Sequence, residues 1–172
     1  GQGEYDRAIE IFTEGLAIAR EIGSISSEGV FLGNLGLVYQ AQGQDDRAIE
    51  LLTQALNIAR KIGNKRSEGI SLGNLGDALF GQKRLDDAES ALRQAISIGD
   101  ETVPVSAGVF RGSLAWLLAQ QDQLEEARSM LETGEAQVES MPEEHAKFLA
   151  KKGWTYEIGA NSRYWVSASL FD

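Results

Sequence analysis

The chain has 172 residues, of which 42% are hydrophobic and 24% are charged, which is the usage of a globular domain and excludes a disordered or fibrous protein. Its formal net charge of −10 would repel a phosphate backbone, so no nucleic-acid partner is expected. The chain has no cysteine, so disulfides and thiolate metal sites are not expected and a cytoplasmic location is favoured. No apolar run approaches the roughly 20 residues of a membrane helix, so membrane insertion is not expected.

Apolar residues recur along the chain at spacings of three and four, as in Ile9, Phe12 and Leu16, and no stretch alternates like a strand. Breaks fall at Gly23-Ser24, Gly43-Gln44, Gly63-Asn64 and Gly99-Asp100, and at Pro104 and Pro142. The pattern predicts an all-α protein with helices over residues 4–22, 26–42, 45–62, 66–82, 85–98, 104–121, 124–139 and 143–152.

The helices belong to an internal repeat. Gly33-Asn34-Leu35-Gly36 returns as Gly73-Asn74-Leu75-Gly76 after 40 residues, and a third, more divergent copy carries Gly73 onto Gly112 after 39. A period of this size marks a unit that buries its apolar face only by stacking on its neighbours, which favours a binding scaffold. Since Gly3 aligns with Gly43, between the two helices of a unit, the chain is expected to start in mid-repeat, as a fragment would.

Three acidic pairs invite a metal or acid–base interpretation: Asp45-Asp46, Asp86-Asp87 and Glu125-Glu126. Each pair opens the second helix of its unit, where carboxylates cap free N–H groups and offset the helix dipole, so a structural role is favoured. The single histidine, His145, has no cysteine or second histidine to share a zinc site and is expected at the surface. No catalytic residue, metal or cofactor is predicted, and the chain is not expected to be an enzyme.

Leu35-Gly36, Tyr39, Gly43, Ala48 and Ala55, with their later copies, resemble the tetratricopeptide repeat signature over about residues 3–141. The long unit of about 40 residues is similar to that of Pins-type adaptors, kinesin light chains and bacterial signalling proteins. The resemblance implies a right-handed α-solenoid of stacked antiparallel helix pairs. It would hold about three to four repeats over residues 1–141, followed by a C-terminal helix and capping or interaction segment over residues 142–172.

The resemblance also implies that the first helix of each unit lines a concave groove that receives an extended or helical segment of another protein. The residues expected to face it are Asn34, Leu37, Gln40, Asn74, Asp77, Phe80, Trp116 and Ala119. An asparagine amide suits recognition of a ligand backbone, although both asparagines could instead bond neighbouring helices, and Trp116 could instead be core. Asp77 and the net charge favour a ligand with basic residues.

One subgroup of the family, which grips a C-terminal carboxylate with basic side chains, is not expected to include this chain. The positions of that clamp hold Val30, Gly33, Ile70, Gly73, Val109 and Gly112. None of these residues carries a charge, so a receptor for chaperone tails is not predicted.

The last 20 residues are rich in aromatic side chains, namely Trp154, Tyr156, Tyr164, Trp165 and Phe171. They are interpreted as a cover for the last repeat, as a contact for homo-oligomerisation, or as a partner site. Three functions remain: a peptide-binding adaptor, a self-associating structural scaffold, and a regulatory or sensor region of a larger signalling protein.

Overall fold

The computed structural model describes residues 2–140, which form seven α-helices and contain no strand. The helices are α1 (Gln2–Glu21), α2 (Ile25–Ala41), α3 (Asp45–Lys61), α4 (Lys65–Gly81), α5 (Leu85–Thr102), α6 (Pro104–Gln120) and α7 (Leu124–Glu139). The all-α repeat fold is therefore confirmed, and every one of these helices begins and ends within four residues of its predicted bounds. The predicted helix over 143–152 lies outside the described residues.

The turns between helices repeat as closely as the helices do. Gly23, Gly43 and Gly63 have φ values of 69°, 73° and 68°, a left-handed conformation that glycine adopts without steric cost. Lys83 and Asp122 take the same place in later turns with φ values of 63° and 62°. The divergent later units therefore keep the turn geometry even where they have lost the glycine.

The chain divides into two compact units, one ending at Ala95 and the next beginning at Ile96. In the first unit, α2 packs against α1, α3 and α4. Its buried core is Leu16, Leu32, Leu35, Tyr39, Ala48, Leu52, Ala55 and Ala78. In the second unit, α6 packs against α7. The predicted division at residues 141 and 142 depends on residues beyond 140 and stays a prediction.

Glycine allows the helices of the first unit to approach closely. A Cβ at Gly36 would lie 2.7 Å from Cγ of Leu52, and one at Gly76 would lie 2.8 Å from Cγ of Leu92. Both leucines are fully buried, so neither has room to retreat from an added methyl group. The repeated Leu-Gly pair thus fixes the spacing of each helix pair.

No helix within residues 2–140 is both long enough and apolar enough to cross a bilayer.

Candidate partner-binding face

One face of α2 and the matching face of α4 carry the residues expected to bind a partner. Val30, Asn34 and Leu37 are spaced by four and three, which places them on the same side of α2. Val30 is exposed and Leu37 is 40% exposed, whereas Asn34 is half-buried between them. Asn74, one period later on α4, is also half-buried, and α2 contacts α4 directly. We call Val30, Asn34, Leu37, Asn74 and Asp77 the α2/α4 face.

Neither asparagine of this face bonds another helix within residues 2–140. Within residues 2–140, no side-chain hydrogen bond joins Asn34 or Asn74 to another residue. Neither amide has a fully buried nitrogen or oxygen atom that is without a hydrogen-bond partner. The alternative that each asparagine joins neighbouring helices by a hydrogen bond is therefore not observed in this part of the chain. An asparagine amide carries both a hydrogen-bond donor and an acceptor.

The remaining predicted residues of α2 and α4 are not equally accessible. Gln40 is half-buried, and Asp77 is half-buried with Oδ1 fully enclosed. Phe80 is 4% exposed and lies in the interior of the first unit, so the expected accessible ring is not found. The reason is that the end of α4 is enclosed on several sides, because Ala78 and Leu79 are buried as well. We therefore leave Phe80 out of the face.

Trp116 and Ala119 lie on α6 in the second unit and are half-buried. The predicted C-terminal contacts, Trp154, Tyr164, Trp165 and Phe171, lie outside the described residues, as does His145. Their roles therefore stay predictions.

The acidic pairs lie in the first turn of α3, α5 and α7, as predicted. Their role differs in detail, because the N-cap positions of α3 and α7 are Gln44 and Gln123, whose side chains make no capping hydrogen bond. The carboxylates therefore act through the helix dipole. Asp87 also pairs with Arg84 over 2.7 Å. Among residues 2–140, no group of three or more histidine or carboxylate side chains could hold a metal ion.

The sequence interpretation missed a repeated ion pair at the turns between units. Arg20 Nε donates to Glu28 over 2.8 Å, and Arg60 Nε donates to Glu68 over 3.0 Å, one period later. Lys65 Nζ adds a second bond to Glu68 over 2.8 Å. The hydrogen bond from Lys65 and, to a smaller extent, the one from Arg60 lower the pKa of the Glu68 carboxyl, although burial of the carboxyl opposes the shift. In the sequence, Arg20 and Glu28 recur as Arg60 and Glu68 after 40 residues, and this recurrence could have predicted the ion pair.

Family models and solved structures agree with the repeat fold of these helices. Two models of the tetratricopeptide repeat match the chain, one over residues 27–101 and one over residues 108–133. The chain belongs to the tetratricopeptide repeat family. The matched residues run from α2 to α7, so the α2/α4 face lies on the first helices of two successive tetratricopeptide repeats.

Several solved structures resemble the chain at low identity. BtubC (BKLC) from P. vanneervenii has a TM-score of 0.69 at 17% identity, covering 81% of this chain and 58% of that one. A Podosopora anserina protein described as a kinesin light chain, with nearly identical TPR-like repeats, has a TM-score of 0.65 at 22% identity, covering 99% and 90%.

The apo form of RapI has a TM-score of 0.63 at 19% identity. The match covers 96% of this chain and 45% of RapI. This chain therefore spans less than half the length of RapI and 58% of the length of BtubC. No curated protein matches the chain in sequence. At these identities the likeness shows the tetratricopeptide fold, which is in general a non-catalytic scaffold for protein–protein interaction.

Proposed function

We propose that the chain is an adaptor that binds an extended or helical segment of a partner protein along the α2/α4 face. The observation that carries this proposal is the repetition of Asn34 as Asn74 on neighbouring helices. Equivalent amides on successive first helices present the same donor and acceptor pair at regular intervals. A peptide backbone repeats its own donor and acceptor with every residue, so the two patterns suit each other.

Charge and exposure indicate the chemistry of the ligand. The net charge of −10 and Asp77 within the face favour a segment with lysine or arginine residues. Leu37, at 40% exposure, and Val30 provide apolar area beside the asparagines, where an aliphatic or aromatic side chain of the ligand would pack. In the second unit, Trp116 on α6 is a further proposed contact. A cytoplasmic location is part of the same proposal.

The proposal is tested by selecting peptides from a displayed random library on the intact chain and measuring their dissociation constants by fluorescence anisotropy. The double variant Asn34→Ala/Asn74→Ala should weaken the selected peptides by roughly tenfold or more, because each lost net hydrogen bond is worth about 1 kcal/mol. The matched control is Asn57→Ala/Gln94→Ala, which removes two exposed amides from the second helices α3 and α5. This control should leave the affinity unchanged.

Two results would contradict the proposal. If no peptide is selected, the chain is not a peptide-binding adaptor. If the selected peptides bind the Asn34→Ala/Asn74→Ala variant as tightly as the intact chain, while that variant unfolds as cooperatively as the control, the asparagines do not contact the ligand.

A further inference from the structure

The turn between α3 and α4 concentrates positive charge in a chain that is acidic as a whole. Residues 60–66 contain four of the 16 basic residues and none of the 26 acidic ones. Lys61 and Arg66 are exposed, and the side chains of Arg60 and Lys65 are 47% and 68% exposed. We call Arg60, Lys61, Ile62, Lys65 and Arg66 the basic turn.

The repeat itself does not require this charge. Forty positions earlier, the equivalents of the four basic residues are Arg20, Glu21, Ile25 and Ser26. In the following repeat, 39 positions later, they are Gly99, Asp100, Pro104 and Val105. Three of the four cations are therefore specific to this turn and are not part of the repeat pattern.

Local stability explains only part of the basic turn. Arg60 and Lys65 bond Glu68, and Lys61 lies in the last turn of α3, where the helix dipole favours a cation. Arg66 is the second residue of α4, where the helix dipole disfavours a cation. Within residues 2–140, neither Lys61 nor Arg66 has an ion pair or a side-chain hydrogen bond. A residue that opposes its local environment without a compensating contact is typical of a functional site.

We propose that the basic turn binds a short acidic segment of a partner protein, in which carboxylates flank an aliphatic or aromatic side chain. The planar guanidinium of Arg66 can hold one carboxylate through two parallel hydrogen bonds, and Lys61 attracts a second one. Ile62 lies between these two residues in the chain and is 41% exposed, so the apolar side chain of the ligand has a surface on which to pack.

The distribution of charge favours a short segment over a long polyanion. Outside residues 60–66, the chain has 12 basic and 26 acidic residues. A nucleic acid or an anionic membrane extends beyond the turn and meets this excess of negative charge. A short segment stays on the basic turn, and charges farther away are screened because the Debye length is about 8 Å at physiological ionic strength.

The proposal is tested with a displayed random peptide library, selected on the intact chain and depleted on the double variant Lys61→Gln/Arg66→Gln. The remaining peptides should be acidic and carry an apolar residue. Fluorescence anisotropy should show that the variant binds them at least roughly tenfold more weakly, because hydrogen bonds between charged groups are the strong ones. Urea denaturation should show that the variant still unfolds cooperatively.

The matched control is Arg7→Gln/Arg47→Gln, which removes the same charge from exposed positions of α1 and α3. It should change the affinity for the acidic peptides by less than about threefold, because its charges are distant and screened. The Asn34→Ala/Asn74→Ala variant should bind the same peptides with unchanged affinity, because the basic turn is independent of the α2/α4 face. A failure of this proposal is therefore distinguishable from a failure of the adaptor proposal.

The proposal is overturned if no selected peptide depends on Lys61 and Arg66, or if the peptides that depend on them are not acidic. Vesicles of phosphatidylserine and phosphatidylcholine, a labelled DNA duplex and a second copy of the chain are the other candidate ligands. Cosedimentation, anisotropy and sedimentation equilibrium measure these three. Binding of any of them that is lost in Lys61→Gln/Arg66→Gln would overturn the choice of an acidic protein segment.

Discussion

At the scale of single residues, glycine has two different roles within the same helix. Gly36 is buried against Leu52, whereas a Cβ added at Gly33 would make only an ordinary van der Waals contact, with the Cβ of Ala55 at 3.9 Å. Both residues lower the intrinsic stability of α2 by about 1 kcal/mol relative to alanine. Only at Gly36 does close packing offset that cost.

Alanine substitutions at these two glycines should therefore have opposite effects. Gly33→Ala should raise the free energy of unfolding by up to about 1 kcal/mol, because helix propensity improves and nothing clashes. Gly36→Ala should lower it by about 1–3 kcal/mol, because its Cβ would overlap Leu52. Urea denaturation of both variants measures the two effects. Equal changes of the same sign would contradict the packing role of Gly36.

The turn between α3 and α4 depends on Glu68, which is 8% exposed and bonded to Arg60 and Lys65. Because its pKa in the folded chain lies below the ordinary value of 4.5, its ion pairs contribute stability that is fully present above about pH 4.5. That stability is lost as the pH falls through the lowered folded pKa, where the carboxylate takes up a proton.

Glu68→Gln should lower the free energy of unfolding at neutral pH by roughly 1 kcal/mol, since both basic partners are largely exposed and screened by water. The difference from the original chain should shrink as the pH falls from neutral through the lowered folded pKa of Glu68, where the carboxylate itself becomes neutral. Urea denaturation across this pH range measures both effects. A difference that stays constant with pH would show that charge at Glu68 is irrelevant.

At the scale of helices, a polar cluster ties the end of α5 to α6 and α7 within the second unit. Arg111 Nη1 and Nη2 donate to the two carboxylate oxygens of Asp100, each over 2.7 Å, and Nη1 also donates to Gln137 over 2.6 Å. Gln137 in turn donates to Asp100 over 2.8 Å. The hydrogen bonds from Arg111 lower the pKa of the Asp100 carboxyl against the effect of burial. A planar guanidinium fits this two-pronged geometry, and a lysine does not.

Arg111→Lys should therefore lower the free energy of unfolding by about 1–3 kcal/mol, although it keeps the charge. The matched control is Arg84→Lys, whose pair with Asp87 is about half exposed on both sides and should cost less than about 1 kcal/mol. Thermal denaturation followed by circular dichroism compares the two variants. Equal losses in both would mean that the bidentate geometry at Arg111 adds no stability.

At the scale of the whole molecule, the net charge of −10 should govern how fast and how tightly a basic partner binds. Charges spread over the surface are screened by salt, because the Debye length falls from about 30 Å at 0.01 M to about 8 Å at 0.15 M. A partner that binds through this charge must lose affinity as salt rises.

The dissociation constant of a selected basic peptide should therefore increase several-fold between about 0.05 M and 0.5 M salt. Asp77→Asn should weaken binding at low salt and make the salt dependence shallower. Fluorescence anisotropy in a salt series measures both quantities. A dissociation constant that does not change with salt would show that the ligand is recognised without charge.

The amino-acid sequence by itself determined the helices, the turns, the period and the family, because each depends on residues close together in the chain. Apolar spacing, turn glycines such as Gly43 and the repeated Leu-Gly pair are local or periodic signals. The positions of Asn34 and Asn74 on equivalent helices followed from the same period.

Only the tertiary structure decided which side chains are accessible and which charges meet. Phe80 was expected to face the groove and is buried, because enclosure depends on the elements that pack around α4. The cluster of Arg111, Asp100 and Gln137 joins residues up to 37 positions apart, which no local pattern indicates.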